Sequence, residues 1–287
     1  MTTTQTSTTT STTTRFANRL RAALLLAAVL LTAGCVQTAP VEEAPRSNAD
    51  TVVLLHGLGR SASAMSQLAE RLEVFGFYVI SVDYHSLRRS PAEILQDVSR
   101  QIDRCCYQER GQTEQHRTKQ GQIHFVGHSL GGLLARAYLA ENSPPNLGRV
   151  VAIGSPAKGT PIVDRYRDRW WFELLGPMAN SLGTDPGSFA ASLGKPTYPL
   201  GVIAGTRQRN NDDFLPGEDD GLVTVESTRV DGMTDFLKVN VGHAGLRYSA
   251  DVARQTALFL RTGKFAQPVL TLNQQGRLPP GVTADVD

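Results

Sequence analysis

The most constraining feature of this chain is the run Ile123-His124-Phe125-Val126-Gly127-His128-Ser129-Leu130-Gly131. An apolar strand-like stretch passes through G-x-S-x-G into a helix-forming segment, Gly131 to Glu141. A strand that becomes a helix within so few residues must bend very tightly. The serine at the tip takes a strained backbone, and the flanking glycines leave room for the chain to pass. Such a bend lifts the hydroxyl above the strand's C-terminal end. The helix start behind it supplies N–H groups and a positive dipole end. Ser129 is therefore the candidate nucleophile. A glycine-rich turn with an incidental serine reads the same over five residues; the strand before it and the helix after it set this one apart.

The rest of the chain alternates in the same way. Thr51 to Leu55 is a continuous aliphatic run, the mark of a strand buried on both faces. Met65, Leu68, Leu72 and Phe75 repeat at helical spacing, and Gly76 stops that helix. Phe77 to Val82 reads as a second strand, and Pro91 opens a helix through Ile102. Further strands are expected at Ile123–Val126, Arg149–Ile153, Leu200–Ala204 and Phe236–Val239, with a closing helix from Leu246 to Leu260. Gln108 to Gln120 reads as a polar loop. Strands alternating with helices predict an α/β fold, a mostly parallel central sheet with helices on both faces.

The N-terminus stands outside that pattern. Residues 1–34 form a Thr-rich leader followed by Arg15, Arg19, Arg21 and a short apolar run, Ala22 to Leu31. This is the build of a secretory signal, and the run is too short to span a bilayer. Leu31-Thr32-Ala33-Gly34-Cys35 resembles the lipobox of bacterial lipoproteins, in which the cysteine is acylated. That resemblance implies lipidation at Cys35, anchoring in a membrane and, with Val36 next, placement in the outer membrane of a bacterial envelope. The alternative is an ordinary signal cut near Ala39, giving a periplasmic or secreted protein. Residues 35–50 read as a tether, 51–263 as the folded domain and 264–287 as a mobile tail. Cys105 and Cys106 are adjacent and read as helix-end thiols with no catalytic role. With 29 Lys and Arg against 27 Asp and Glu, nothing suggests a nucleic-acid partner.

A serine nucleophile needs a base, and the base needs an orienting acid. His243 is the one histidine C-terminal to Ser129. Asp212, Asp213, Glu218, Asp219 and Asp220 lie between them as candidate acids. His128, beside the serine, reads as a neighbour on the turn whose side chain points elsewhere. Gly57-Leu58 follows the first strand, and Leu130 follows the nucleophile.

The order of these elements resembles the α/β-hydrolase superfamily, and bacterial lipases and esterases within it. His56-Gly57-Leu58-Gly59 is similar to their H-G-x-G element. Gly127-His128-Ser129-Leu130-Gly131-Gly132 carries the nucleophile. Asp220-Gly221-Leu222-Val223 matches D-G-x-V, and Gly242-His243-Ala244-Gly245-Leu246 matches G-H-x-G-L. The resemblance implies a Ser129–His243–Asp220 triad, with Asp219 as the alternative acid. It implies an oxyanion hole from the N–H groups of Leu58 and Leu130, with His56 anchoring the loop. Larger calcium-dependent lipases carry an aspartate shortly after the catalytic histidine. Here Ala244, Leu246 and Arg247 follow, so no calcium site, other metal or cofactor is expected.

Residues 163–195 break the alternation and hold both tryptophans, Trp170 and Trp171. The segment reads as a lid over an acyl site, a membrane-contacting patch, or packing. The expected activity is hydrolysis of acyl or lipid esters through an acyl-enzyme. Thioesterase, amidase or acyltransferase chemistry on the same triad is the alternative, and a non-enzymatic envelope protein is a third reading.

Overall fold

The structure, a computed structural model, describes residues 49–108, 121–144, 146–208 and 214–266. The leader, Cys35, most of the tether, Asp212, Asp213 and the stretch from 267 onward lie outside the described residues, as does most of the Gln108–Gln120 loop.

The chain runs β1 (Thr51–Leu55), α1 (Ser66–Val74), β2 (Tyr78–Val82), α2 (Pro91–Asp103), β3 (Ile123–His128), α3 (Leu130–Glu141) and β4 (Leu147–Ile153). Next come α4 (Pro161–Tyr166), α5 (Pro177–Asn180), β5 (Leu200–Gly205), α6 (Val225–Thr228), β6 (Asp235–Val239), α7 (His243–Leu246) and α8 (Ala250–Thr262). The six strands form one sheet in the order β2-β1-β3-β4-β5-β6, and every pairing is parallel. The expectation of a mostly parallel sheet is met by one with no antiparallel strand among the described residues.

Strand pleating explains the layers. Successive side chains point to opposite faces. Val53, Leu55 and Phe125 pack with Ile94, Val98, Leu133 and Leu134 from α2 and α3. Val52, Leu54 and Val126 pack on the other face with Leu68, Leu72, Val252 and Leu260 from α1 and α8. Sealing both faces is what a run such as Thr51–Leu55, with all five residues buried, requires. Pro91 starts α2 as expected, behind a capping box in which Ser90 Oγ accepts from Glu93 N at 3.3 Å and Glu93 Oε2 accepts from Ser90 N at 2.8 Å. Cys105 and Cys106 sit in the π-helical turn Arg104–Gln108 that follows α2, their sulfurs 2.8 Å apart.

Strand ends fall within two residues of the sequence reading, and two segments differ in kind. The closing helix is not continuous from Leu246. It breaks after α7 and restarts at Ala250, where Ser249 Oγ accepts from Val252 N at 3.3 Å and caps the new helix. The packed domain also extends past 263. Phe265 is buried against Phe259 at 4.8 Å between ring centroids, and its N–H donates to Asp235 Oδ2 at 2.8 Å. Residues 264–266 thus belong to the domain rather than to a tail.

Candidate active site

β3 lies inside the sheet, between β1 and β4. Its C-terminal end delivers Ser129 with φ 56° and ψ −123°, one of two described non-glycine residues with positive φ. That strain costs on the order of 1–3 kcal/mol and persists because the surroundings hold it. Ser129 N–H donates to Ile153 O of β4 at 2.8 Å, and Gly132 N–H donates to Ser129 O at 3.1 Å. Both glycines of the motif are sterically required. A Cβ on Gly127 would stand 2.3 Å from Gly131 C, and one on Gly131 would stand 2.3 Å from Leu55 O.

Three side chains expected to act together are brought together. Ser129 Oγ is 3.0 Å from His243 Nε2, and His243 Nδ1 is 2.8 Å from Asp220 Oδ2. Asp220 is buried. Its other carboxylate oxygen accepts from Leu222 N at 3.0 Å and Val223 N at 2.8 Å, a turn that D-G-x-V makes possible. The same turn fixes the histidine, because His243 N–H donates to Asp220 O at 2.8 Å. With Nδ1–H donating to the carboxylate, Nε2 faces Ser129 with its lone pair.

Asp219 does other work. It accepts from Gln208 Nε2 at 2.6 Å and from Gly221 N at 2.7 Å, and so shapes the turn. Glu218 pairs with Lys238 at 2.7 Å. Leu130 opens α3, where the first N–H groups have no partner within the helix. Leu58 borders the same cavity as Ser129. The turn before it runs close enough that a Cβ on Gly57 would stand 3.2 Å from Ser129 Cβ. His56 anchors that loop: Nδ1–H donates to Gly57 O at 2.9 Å, Tyr84 N–H donates to Nε2 at 3.3 Å, and the two rings stack at 3.9 Å.

His128 is a neighbour on the turn that makes no hydrogen bond to Ser129, yet it stays at the site. Its ring does not turn away from the site but lies 4.8 Å from the His243 ring, and its Nε2–H donates to His243 O at 3.0 Å. Nδ1 is buried with no partner, so protonating the ring would strand a second N–H. Burial accordingly pushes the His128 pKa well below the ordinary value, and the nearby His243 ring reinforces that. His56 and His124, also buried, are lowered by burial as well.

These three histidines make folding pH-dependent. Their folded pKa values lie below the unfolded value of 6.5, so the unfolded chain takes up protons that the folded chain resists. The stability is fully present above pH 6.5 and falls as the pH drops, until the folded pKa values are reached. Each contributes at most about 1.4 kcal/mol per pH unit in that window. Urea unfolding at pH 7, 6 and 5 should show a marked fall in stability before the carboxylates titrate. A flat profile across that range would refute the assignment.

A cavity of about 290 Å³ opens at Ser129. Much of its wall is apolar: Val163, Phe172, Leu175, Ala179, Leu182 and Leu222. The segment expected to be a lid, a patch or packing divides its residues. Phe172, Met178, Ala179 and Leu182 are buried, whereas Trp170, Trp171 and Leu174 are exposed. Arg60 and Arg247 also line the cavity, a role that sequence reading missed. Among the described residues no group of three or more His, Cys, Asp or Glu side chains is gathered to hold a metal ion.

The parallel sheet, the elbow after β3 and the flanking helices define the α/β-hydrolase fold. Residues 51–189 match the family described as palmitoyl protein thioesterase. The mature form of lipase BlEst2 from Bacillus licheniformis is similar in structure, with a TM-score of 0.53 at 20% identity over 77% of this chain and 94% of that one. Phospholipase PlaB from Legionella pneumophila, in complex with thio-NAD, gives 0.58 at 13% identity over 75% and 59%. A soluble variant of monoglyceride lipase from Saccharomyces cerevisiae with a substrate analogue gives 0.53 at 12% identity over 79% and 91%. At these identities the likeness is one of fold. No curated protein matches the sequence.

Proposed function

We propose that this chain is a serine hydrolase that cleaves acyl esters through a covalent acyl-enzyme. One observation carries the reading: Ser129, His243 and Asp220 are linked at 3.0 and 2.8 Å at the mouth of an apolar cavity. Ser129 Oγ attacks the acyl carbon as His243 Nε2 takes its proton. Asp220 holds the ring in the required tautomer and favours the imidazolium that forms. The N–H groups of Leu58 and Leu130 receive the negative charge that develops on the carbonyl oxygen. His243 then passes the proton to the leaving oxygen, and water repeats the sequence to free the acid. The cavity has room for roughly ten water-sized groups at ~30 Å³ each, which suits a medium acyl chain.

Thioester cleavage is the second reading, favoured by the match to palmitoyl protein thioesterase over residues 51–189. The same residues serve it, because the attacked carbonyl differs only in its leaving atom. A fluorophosphonate probe should label the wild-type chain at Ser129. Rates over a series of p-nitrophenyl esters should peak at intermediate chain length, with the matching acyl thioesters run beside them. Absence of labelling would sink both readings, and a thioester preference would select the second.

A further inference from the structure

Arg247 is 7% exposed and belongs to the cavity wall beside His128 and His243. It has no carboxylate within 4 Å among the described residues. Nη2–H donates to Tyr248 Oη at 2.9 Å, the guanidinium carbon lies 4.5 Å over the Tyr248 ring, and Nε is buried without a partner. Nη1 has no hydrogen-bond partner among the described residues and is not sealed from solvent, in a side chain that lines the cavity. A second cation, Arg60, lines the same cavity and is exposed at its edge. Among the described residues no Asp or Glu side chain lines the cavity. A guanidinium buried without a counter-charge is costly, and a bound anion removes that cost. The cavity thus combines two cations that both act on His128, beside Ser129, with an apolar wall drawn largely from residues 162–182.

We infer that Arg247, with Arg60, forms a subsite for an anionic group on the leaving-group side of the substrate. The inference rests on the acyl-hydrolase reading above and narrows it. The favoured substrate class is an acyl ester whose alcohol carries a phosphate or carboxylate. The reaction balances as hydrolysis: the bond from Ser129 Oγ to the acyl carbon forms as the bond from that carbon to the alcohol oxygen breaks. That oxygen takes the serine proton through His243, and water then returns Ser129 and releases the acid. A carboxylate also exists on the released fatty acid, so the test separates the two sources.

Two substrates that differ only in the charged group serve as probes: 1-octanoylglycerol and 1-octanoylglycerol 3-phosphate. The wild type should show the higher kcat/KM for the phosphate-bearing ester. Arg247→Gln should lower the ratio of the two kcat/KM values by about ten- to a hundredfold, the scale of one charge-assisted hydrogen bond. The loss should fall mainly in KM, and Arg247→Lys should restore part of it. Arg60→Gln, at an exposed position, keeps the test sound should the Arg247 variants fold poorly; it should lower the same ratio several-fold. Equal loss on both substrates would assign Arg247 to the reacting oxyanion and overturn the inference. So would an unchanged ratio in the two glutamine variants, or inhibition by octanoate that weakens in them while the ratio holds. If the wild type hydrolyses neither ester and takes no fluorophosphonate label, it is the acyl-hydrolase reading that fails.

Discussion

Ser129→Ala should lower kcat by about a millionfold, the scale seen when a serine triad loses its nucleophile, and should abolish fluorophosphonate labelling. Asp220→Asn should cost about ten-thousandfold while the chain stays folded. The reason lies in which oxygen does which job. One oxygen of Asp220 accepts from the N–H groups of Leu222 and Val223, so an asparagine would keep its oxygen there. Its NH2 would then face His243 Nδ1, where Oδ2 now accepts at 2.8 Å. The ring would be driven to carry its proton on Nε2, and that nitrogen could no longer take one from Ser129. Asp219→Asn is the control, since Asp219 only shapes the turn through Gln208 and Gly221. Steady-state kinetics beside thermal melts decide the matter. A larger loss of kcat from Asp219→Asn than from Asp220→Asn would reverse the assignment of the acid.

Gly131→Ala should be strongly destabilising. Its Cβ would meet Leu55 O at 2.3 Å, Leu55 C at 2.6 Å and His56 O at 2.7 Å. These are backbone atoms, so no side chain can swing away. Either α3 lifts off β1 or the end of β1 bends. Both moves separate Ser129 from the loop bearing Leu58. Overpacking usually costs 1–3 kcal/mol, and a clash with backbone belongs at about 3 or more. For a domain of this size, that corresponds to a fall in Tm of roughly 6–12 °C. An alanine variant that melts within 2 °C of the wild type and keeps its activity would show that the elbow is looser than described.

Much of this was legible in the sequence because it rests on short-range rules. Thr51–Leu55 and Ile123–Val126 read as buried strands since a parallel sheet covered on both faces tolerates little but aliphatic side chains. The Ser129–His243 pairing was readable because one histidine lies downstream of the elbow. What escaped depends on contacts between distant segments. No local pattern says that the His128 ring meets the start of α7, 115 residues later. The helical periodicity from Leu246 to Leu260 carries across the break at Ser249, because capping is decided by one side chain and not by the apolar pattern. Arg247 read only as a missing aspartate, since its place on the cavity wall depends on how α7 turns. Phe265 read as tail because a single aromatic beyond a helix has no period to reveal its pocket.

The cavity's hydrocarbon walls come largely from residues 162–182, on the long excursion between β4 and β5. The reacting groups come from the end of β3 and the turns around β6. The proposed reacting groups and most of the apolar wall are therefore encoded in separate stretches of chain. An excursion leaving β4 and returning to β5 can be lengthened, shortened or exchanged without altering the sheet pairings that hold Ser129. This architecture lends itself to grafting: a segment transplanted between those two strands would change which acyl chain is admitted while the elbow and its partners stay as they are.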